Sequence, residues 1–427
     1  MNILMMTNTY IPHVGGVARS VAAFTNELRR LGHRIVVVAP EYEDAANGES
    51  DTIRIRAIQH FNGSDFSVVL PIPLFLESHL RNFRPDLVHS HHPFFMGSTA
   101  IRAAKKYNVP LVYTHHTMFE EYTHYVPMEF AKLKKFVVSL STGYANMSDH
   151  VIAPSESVGH ILKERGVRTP IAVVPTGIGV EKLEHGDGTK VRASVGIPTN
   201  AFVIGYVGRL APEKNPDFLC SAVALFLHAE TTARFLVVGY GSSKSQMQEF
   251  FSQQGLSSRV HFLGKLREEE LGDAYHAMDA FVFASKTETQ GLVLVEAMCA
   301  GVPVVGLDAP GVREVIRDGD NGYLLKVERA QKFAEAVKKL ADLTPEEKER
   351  FTAEAKRTGG LYSIRDCASK LLSVYEALHR KSAESTGDES AWQRSVEQVK
   401  TEWELLSNLT TAVGNAMGKR SNSGRAH

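Results

Sequence analysis

The strongest constraint on the fold is an alternation of short apolar runs with amphipathic helices, which occurs twice along the chain. In the first half, Ile3 to Met6, Ile35 to Ala39 and Leu87 to Ser90 are short runs that predict buried strands. The helix between the first two has apolar residues spaced by four and three positions: Val17, Val21, Phe24, Leu28 and Leu31. Short apolar strands that alternate with helices predict an α/β fold, in which a parallel sheet is covered on both faces.

The same pattern restarts after residue 200. Phe202 to Val207 predicts a strand, Asn215 to His228 a helix, and Arg234 to Val238 another strand. The preceding stretch, Gly179 to Asn200, is rich in Gly, Lys, Glu and Thr and predicts a linker region. We therefore expect two doubly wound domains in tandem. Ligands of such sheets bind outside the carboxyl ends of the strands, which places the expected site in a cleft between the domains.

Length and composition narrow the class of protein. The 427 residues suit two or three domains, and we place the two Rossmann-like domains at residues 1–180 and 181–360. The 48 basic and 48 acidic residues give zero net charge, which argues against a nucleic-acid partner. Three widely spaced cysteines exclude a disulfide framework and favour a reducing cytosol. The longest uncharged apolar stretch, Val68 to Leu76, is too short to span a membrane.

The strongest chemical motif surrounds Glu288, in a loop between a predicted strand and a helix expected to begin near Leu292. Gly291 lets backbone approach a ligand, and the N–H groups of Gly291, Leu292 and Val293 form a phosphate site at the helix N-terminus. Glu296, one turn into the helix, can reach a ribose hydroxyl pair beside that phosphate. The alternative is that both glutamates are ordinary surface carboxylates.

A second motif, Gly208 to Asn215, directly follows the strand that ends at Val207. It places Arg209 and Lys214 at the carboxyl end of that strand, where a planar guanidinium and a point charge suit a diphosphate. The alternative is a local salt bridge from Arg209 to Glu213.

Two further signals are weaker. Gly15 and Gly16 precede a helix and could bring backbone N–H groups to a phosphate, but the G-x-G-x-x-G spacing is absent and a plain strand–helix turn is the alternative. Histidines also cluster after two predicted strands: His89, His91, His92, His115 and His116. No cysteine accompanies them and no H-E-x-x-H spacing occurs, so hydrogen bonds to a polar ligand are favoured over a metal site.

In this order, the motifs resemble those of the retaining nucleotide-sugar glycosyltransferases of family 4, which have the GT-B fold. The resemblance spans about residues 1 to 380. It rests on three elements: Glu288 and Glu296 with Gly291, Arg209 with Lys214, and Gly15-Gly16. The block Tyr113 to Tyr125 looks most like the diacylglycerol glucosyltransferase branch. Thr289-Gln290-Gly291 points to the same branch, since many relatives have Phe before this glycine.

The resemblance implies a role for each matching residue. Gly15 and Gly16 would lie under the donor phosphates and the acceptor, and His116 near the 6-hydroxyl of the donor sugar. Arg209 and Lys214 would hold the diphosphate. Glu288 would contact the 3-hydroxyl region of the sugar, and Glu296 the ribose. The resemblance also implies that a helix over residues 361–380 crosses back to the first domain, leaving an extra amphipathic helix and polar tail at 381–427.

We therefore predict a hexosyltransferase that moves glucose from a UDP-sugar to a lipid hydroxyl such as that of diacylglycerol, with retention and with neither metal nor cofactor. A saccharide or sugar-phosphate acceptor is the alternative within this class. An alternative of another class is a non-catalytic scaffold that binds a nucleotide sugar. A dinucleotide-dependent oxidoreductase is excluded by the missing G-x-G-x-x-G.

Two stretches bear on partners. Lys132, Lys134 and Lys135 flank an apolar helical face, which suits either an anionic bilayer or an ordinary domain helix with solvated lysines. The first reading predicts a cytoplasmic enzyme, peripheral on the inner face of the cytoplasmic membrane. The tryptophan helix near Trp392 and Trp403 is net acidic, so we expect anionic lipid to repel it. We expect it to pack on the body of the protein or, through residues 392–413, on a second copy in a homodimer.

Overall fold

The chain forms two compact units. A computed structural model describes residues 1–13, 15–42, 51–58, 68–69, 80, 82–118, 130–385 and 391–416. The first unit comprises Met1–Gly177 and Cys367–His427, and the second unit comprises Ile178–Asp366. Residues 119–125 of the predicted sequence block and the predicted polar tail from residue 418 onward lie outside the described residues, as does the side chain of Trp392.

The described part of the first unit contains a parallel seven-stranded sheet and a small antiparallel pair. In spatial order the strands of the large sheet are β3 (Thr52–Ile55), β2 (Arg34–Pro40), β1 (Asn2–Met6), β6 (Leu87–Ser90), β7 (Leu111–Thr114), β8 (His150–Ala153) and β9 (Ile171–Val173). The antiparallel pair is formed by β4 (Ala57–Ile58) and β5 (Val68–Val69). The helices are α1 (Gly16–Arg30), α2 (Met96–Tyr107), α3 (Phe130–Asn146), α4 (Glu156–Glu164), α12 (Ile364–Ser385, in this unit from Cys367 onward) and α13 (Ala391–Ala416).

The described part of the second unit contains a parallel six-stranded sheet. In spatial order its strands are β12 (Val260–Gly264), β11 (Arg234–Val238), β10 (Val203–Val207), β13 (Ala280–Phe283), β14 (Val304–Leu307) and β15 (Gly322–Leu325). The helices are α5 (Gly188–Ser194), α6 (Pro216–Ala229), α7 (Lys244–Gln253), α8 (Glu268–His276), α9 (Leu292–Cys299), α10 (Ala330–Ala341) and α11 (Pro345–Gly360). Short 3-10 turns lie at Val180–Lys182, Pro212–Lys214 and Ser257–Arg259.

These elements follow from the sequence pattern. The strands β6, β7, β10, β13 and β14 are buried along their whole length, as expected for parallel strands covered on both faces. Local caps fix several helix starts. The side chain of Ser155 accepts a hydrogen bond from the Val158 N–H, and Thr344 and Glu347 form a capping box at the start of α11. The predicted fold class of two Rossmann-like α/β domains is confirmed.

The predicted linker at residues 179–200 is wrong. This stretch belongs to the second unit and contains a 3-10 turn and α5, which packs on α8. Its sparse apolar residues Val180, Leu183 and Ile197 are buried in the core of that unit. The polar, glycine-containing composition reflects the exposed positions between them.

Both sheets reverse their strand order at one point, and this fixes where a ligand can bind. In the first sheet the reversal lies between β1 and β6, and in the second between β10 and β13. A crevice opens at such a point outside the carboxyl ends of the two strands. Among the described residues, no helix combines the length and the apolarity needed to cross a bilayer.

Candidate functional site

The second unit brings most of the predicted donor-site residues to its strand-order reversal. The loop that carries Arg209 and Lys214 follows β10, and the loop that carries Glu288 follows β13, the neighbouring strand. The two motifs are about 75 residues apart in the sequence, but the sheet places them side by side at one edge.

Lys214 and Glu288 form an ion pair across this edge, with only 16% and 17% of their side chains exposed. Burial acts to raise the pKa of Glu288, but the charges of Lys214 and Arg209 and the hydrogen bond from Lys214 outweigh it. The net effect holds the pKa of Glu288 below its usual range, so the carboxylate is ionised at neutral pH. The edge therefore carries a partly desolvated cation next to a fixed anion.

Arg209 forms the local salt bridge to Glu213 that was the alternative interpretation of this motif. Its Nη2 lies 2.6 Å from Oε1 of Glu213, which is almost fully buried. The Tyr206 hydroxyl donates a hydrogen bond to the backbone oxygen of Arg209 at 3.0 Å, which fixes the start of the loop. The guanidinium keeps a third of its side chain exposed, so the salt bridge and a ligand contact are compatible.

The N-terminus of α9 lies beside this pair. Gly291 caps the helix with a φ of +69°, a conformation that favours glycine. Gln290 is buried, whereas Leu292 and Val293 are half-buried. Gly311 packs against this turn: a Cβ at Gly311 would lie 2.5 Å from the backbone nitrogen of Gln290. Spacing along the sequence does not identify Gly311, since only the fold brings it to this loop.

We expect Gly311→Ala to raise the KM for the donor about tenfold or more, because the new Cβ displaces the 289–291 turn. Gly319→Ala is the matched control. Its φ of +81° carries a similar backbone cost, but its Cβ meets nothing within 4 Å. Steady-state kinetics of both variants measure the difference, and an equal rise in KM would contradict this role.

Glu296 is buried, with one oxygen accepting a hydrogen bond from the Tyr275 hydroxyl at 2.7 Å. Tyr275 lies on α8 and Glu296 on α9, so a side chain of one helix orients the carboxylate of another. Spacing along the sequence does not indicate this contact. The predicted ribose contact of Glu296 stays a prediction.

The first unit gathers the histidines at its own strand-order reversal. His89 lies within β6 rather than after it, His91 and His92 follow that strand, and His115 and His116 follow β7. His91 Nδ1 lies 2.9 Å from His116 Nε2, so one imidazole donates to the other. His116 is half-buried, and the other four are buried. His89, His91 and His116 thus form a connected group at the sheet edge, while His92 accepts a hydrogen bond from the Asn8 N–H and His115 bonds to the Tyr113 hydroxyl.

Burial keeps these histidines neutral. It lowers the pKa of His89 and His92 to about 3, and burial with the nearby charge of Arg165 does the same for His115. The pKa values of His91 and His116 are also lowered well below the usual range, by burial and by their histidine neighbours. In a neutral imidazole one ring nitrogen donates and the other accepts, so the tautomer of His116 decides whether its Nε2 donates to His91 or accepts from it.

Helix α12 supplies a residue to this cluster that the sequence analysis missed. The hydroxyl of Tyr375 lies 2.5 Å from His89 Nδ1, and the other ring nitrogen of His89 lies 2.7 Å from the Thr114 hydroxyl. His89 and His91 are in ring contact, with centroids 4.1 Å apart. Tyr375 therefore holds His89 in place, and His89 in turn contacts the His91–His116 pair.

We expect Tyr375→Phe to lower the free energy of unfolding of the first unit by about 1–3 kcal/mol, because a buried nitrogen of His89 loses its partner. Tyr107→Phe, at a half-buried tyrosine of the same unit, is the matched control. Urea unfolding followed by tryptophan fluorescence suits this test, since both tryptophans lie within the first unit. Equal losses in the two variants would contradict it.

The remaining predicted residues lie on helices of the first unit. Gly15 caps α1 with extended backbone and Gly16 is its first residue. On α3, Lys132 and Lys135 are exposed and Lys134 is half-buried. Within the described ranges, no group of three or more His, Cys, Asp or Glu side chains is arranged to hold a metal ion.

Comparison with known proteins identifies similar chains. Residues 14–182 match the family model Glycosyltransferase Family 4, and residues 187–358 match the model Glycosyl transferases group 1. The alpha-monoglucosyldiacylglycerol synthase of Streptococcus pneumoniae is 29% identical over 367 residues, which cover 83% of this chain and 81% of that protein.

One further relative and one solved structure are also similar to this chain. The D-inositol 3-phosphate glycosyltransferase of Streptomyces griseus is 30% identical over 326 residues, covering 70% of this chain and 69% of that protein. An Anabaena protein solved in complex with UDP and glucose has a TM-score of 0.72 at 21% identity, covering 88% of this chain and all of that one. At this identity the structural similarity concerns the fold.

Proposed function

Because the chain belongs to glycosyltransferase family 4 and has the GT-B fold, we propose that it transfers glucose from UDP-glucose to a lipid hydroxyl such as that of diacylglycerol, with retention. That it is a hexosyltransferase follows from the family. The observation that carries the proposed use of a nucleotide-sugar donor is the Lys214–Glu288 pair, with Arg209 and the N-terminus of α9 at the same sheet edge.

In this proposal the donor diphosphate binds at the carboxyl edge of the second sheet. Arg209 and Lys214 supply positive charge, and the backbone N–H groups of Gly291, Leu292 and Val293 supply donors at the start of α9. Gln290 belongs to the same turn, and Glu296, held by Tyr275, takes the ribose hydroxyls. Gly15 and Gly16 lie on the phosphate and acceptor side, as the family resemblance implies.

The reaction needs charge stabilisation rather than a covalent nucleophile. The bond between the anomeric carbon and the phosphate oxygen breaks, and the acceptor oxygen bonds to that carbon on the same face. The acceptor proton passes to the leaving phosphate oxygen. Cations and helix N–H groups that already face the diphosphate stabilise the negative charge as it develops, without reorganising during the step.

His116 and Glu288 are the proposed catalytic contacts to the sugar. A neutral His116 would hydrogen-bond the 6-hydroxyl, and its partner His91 would fix the ring orientation. Glu288, ionised and held by Lys214, would accept a hydrogen bond from the 3-hydroxyl region. When donor binds, Lys214 would divide its contacts between the diphosphate and Glu288.

The lipid acceptor is supported by the name of the Streptococcus pneumoniae relative and by the lysines of α3. Lys132, Lys134 and Lys135 would attract an anionic leaflet, at about 1 kcal/mol per residue near the surface. We accordingly propose a cytoplasmic protein that is peripheral on the inner face of the membrane.

A saccharide or sugar-phosphate acceptor is the second candidate, and the name of the Streptomyces griseus relative favours it. Parallel assays with diacylglycerol in mixed micelles and with soluble sugars separate the two. We expect a glucosylated lipid by mass spectrometry. Glucosylated sugar with no lipid product would favour the second candidate.

A non-catalytic scaffold would bind donor through the same edge without turnover. Glu288→Ala discriminates, because the variant keeps Arg209 and Lys214 but loses the proposed sugar contact. We expect wild-type turnover to exceed that of the variant by about 100-fold or more. Equal rates with intact donor binding would favour the scaffold.

The homodimer through residues 392–413 stays a prediction. Its support is the exposed apolar face of α13, which includes Trp403 and Leu406. Sedimentation of the purified chain over a range of concentrations tests it.

A further inference from the structure

Helix α13 lies on the body of the first unit through one face. Thr401 and Ala412 are buried, Asn408 donates a hydrogen bond to the Leu140 oxygen, and Asn415 donates one to the Ser139 hydroxyl. Gly143 permits this approach, since a Cβ there would overlap the Asn408 side chain. The docking of α13 on α3 is therefore specific.

A second face of α13 is exposed and largely apolar, and the same arc also holds Glu402, which is paired with Arg102. It carries four large side chains with exposed fractions of 71%, 56%, 44% and 40%, namely Trp403, Leu406, Leu409 and Val413. At 3.6 residues per turn these positions fall within an arc of about 120°. An exposed apolar face of this kind marks an interaction surface.

The groove between α3 and α13, which we call the α3–α13 groove, is basic. Its volume is about 910 Å³. Glu404 is the single acidic side chain among the described lining residues, against four cations: Lys134, Lys135, Arg165 and Arg168. Trp403 lines the groove and is also the most exposed member of the apolar face.

The acidic character of the helix is partly cancelled by its neighbour. Glu402 forms a bidentate pair with Arg102 of α2, with distances of 2.5 and 2.8 Å. The expectation that anionic lipid repels this helix rested on the charges of the helix alone. The fold places cations of other segments beside it, and they change the local balance of charge.

We propose that the α3–α13 groove binds the phosphate of an anionic phospholipid headgroup while Trp403, Leu406 and Val413 enter the bilayer interface. Tryptophan favours that zone because it pairs an apolar ring with an N–H donor. A dimer through the apolar face would cover Trp403, Leu406 and Val413 but would supply no phosphate to the groove cations, whereas an anionic phospholipid accounts for both features. The inference rests on the proposed lipid acceptor and identifies how the chain meets the membrane.

Vesicle cosedimentation of the full chain tests this assignment. One vesicle is pure phosphatidylcholine, and the other contains equal parts of phosphatidylcholine and phosphatidylglycerol, both without diacylglycerol or nucleotide sugar. We expect binding to the anionic vesicle, and an about 30-fold weaker partition for Lys134→Gln/Lys135→Gln. Lys190→Gln/Lys326→Gln, at two exposed lysines of the second unit, makes the same charge change and should stay within threefold.

The apolar face has its own matched pair. Leu406 and Leu361 are both 56% exposed, and Leu361 lies in the second unit. Leu406→Ser should weaken binding to the anionic vesicle about fivefold or more, and Leu361→Ser should not. Equal binding to both vesicles, or equal effects within either matched pair, would overturn the proposal.

Two results separate this inference from the proposed function. Turnover in micelles without vesicle binding would overturn the membrane surface and leave the activity standing. Vesicle binding without turnover would support the surface and contradict the activity. If Leu406→Ser converts a dimer to a monomer and leaves vesicle binding unchanged, the face belongs to a second copy and the proposal fails.

Discussion

Lys214→Gln is expected to lower kcat/KM by about 100- to 1,000-fold, the loss typical of removing one pre-positioned charge from a developing anion. The substitution also leaves the largely buried Glu288 without its ion-pair partner. Burial then dominates and raises the pKa of Glu288, so the variant should need a higher pH than wild type to keep this carboxylate ionised. Initial rates measured from pH 5 to 8 test both parts.

Lys286→Gln is the matched control for this change. Lys286 also pairs with a glutamate, Glu328, but about half of its side chain is exposed, and exposed pairs contribute little. We expect it to keep kcat/KM within threefold of wild type. A loss below about tenfold in Lys214→Gln, or equal losses in both variants, would contradict the diphosphate role.

Acidification from pH 7 to pH 5 is expected to destabilise the first unit by about 2 kcal/mol for each of three buried histidines. His89, His92 and His115 have pKa values of about 3 in the folded state, against about 6.5 when unfolded. The unfolded chain therefore binds more protons below pH 6.5. Their contribution is fully present above that pH and is lost as pH falls towards 3.

Urea unfolding followed by tryptophan fluorescence at several pH values measures how the free energy of unfolding of the first unit changes with pH. The slope of that dependence gives the number of protons taken up on unfolding, and His92→Gln should reduce this number by one. His160→Gln, at a histidine whose side chain is 75% exposed, controls for the substitution. An unfolding midpoint that does not change between pH 7 and pH 5 would contradict the buried, neutral cluster.

The sequence predicted the elements that repeat a local pattern. The strands Leu87–Ser90 and Arg234–Val238 have the predicted bounds, and the helix after Gly291 begins at Leu292 as expected. Strand ends also placed Lys214 and Glu288 at the carboxyl edge of their sheet. Strand pairing makes their loops neighbours, because β10 lies next to β13, and sequence alone does not fix that order.

Contacts between distant elements could not be predicted from spacing. Tyr375 reaches His89 across 286 positions, and Tyr275 reaches Glu296 from a different helix. The expected repulsion between α13 and anionic lipid has the same weakness, because Arg102 neutralises Glu402 from 300 residues away in the sequence. Each of these residues is ordinary in its own segment and gains its role from the fold.

Product analysis with UDP-glucose and diacylglycerol is the most direct test of the central claim. Purified chain, mixed micelles and a panel of nucleotide-sugar donors would be analysed for released nucleotide and for glycolipid by mass spectrometry and NMR. We predict UDP release matched by an α-linked glucosyl lipid, formed from UDP-glucose in preference to other donors. Absence of nucleotide release from every donor, with both lipid and sugar acceptors supplied, would contradict the account.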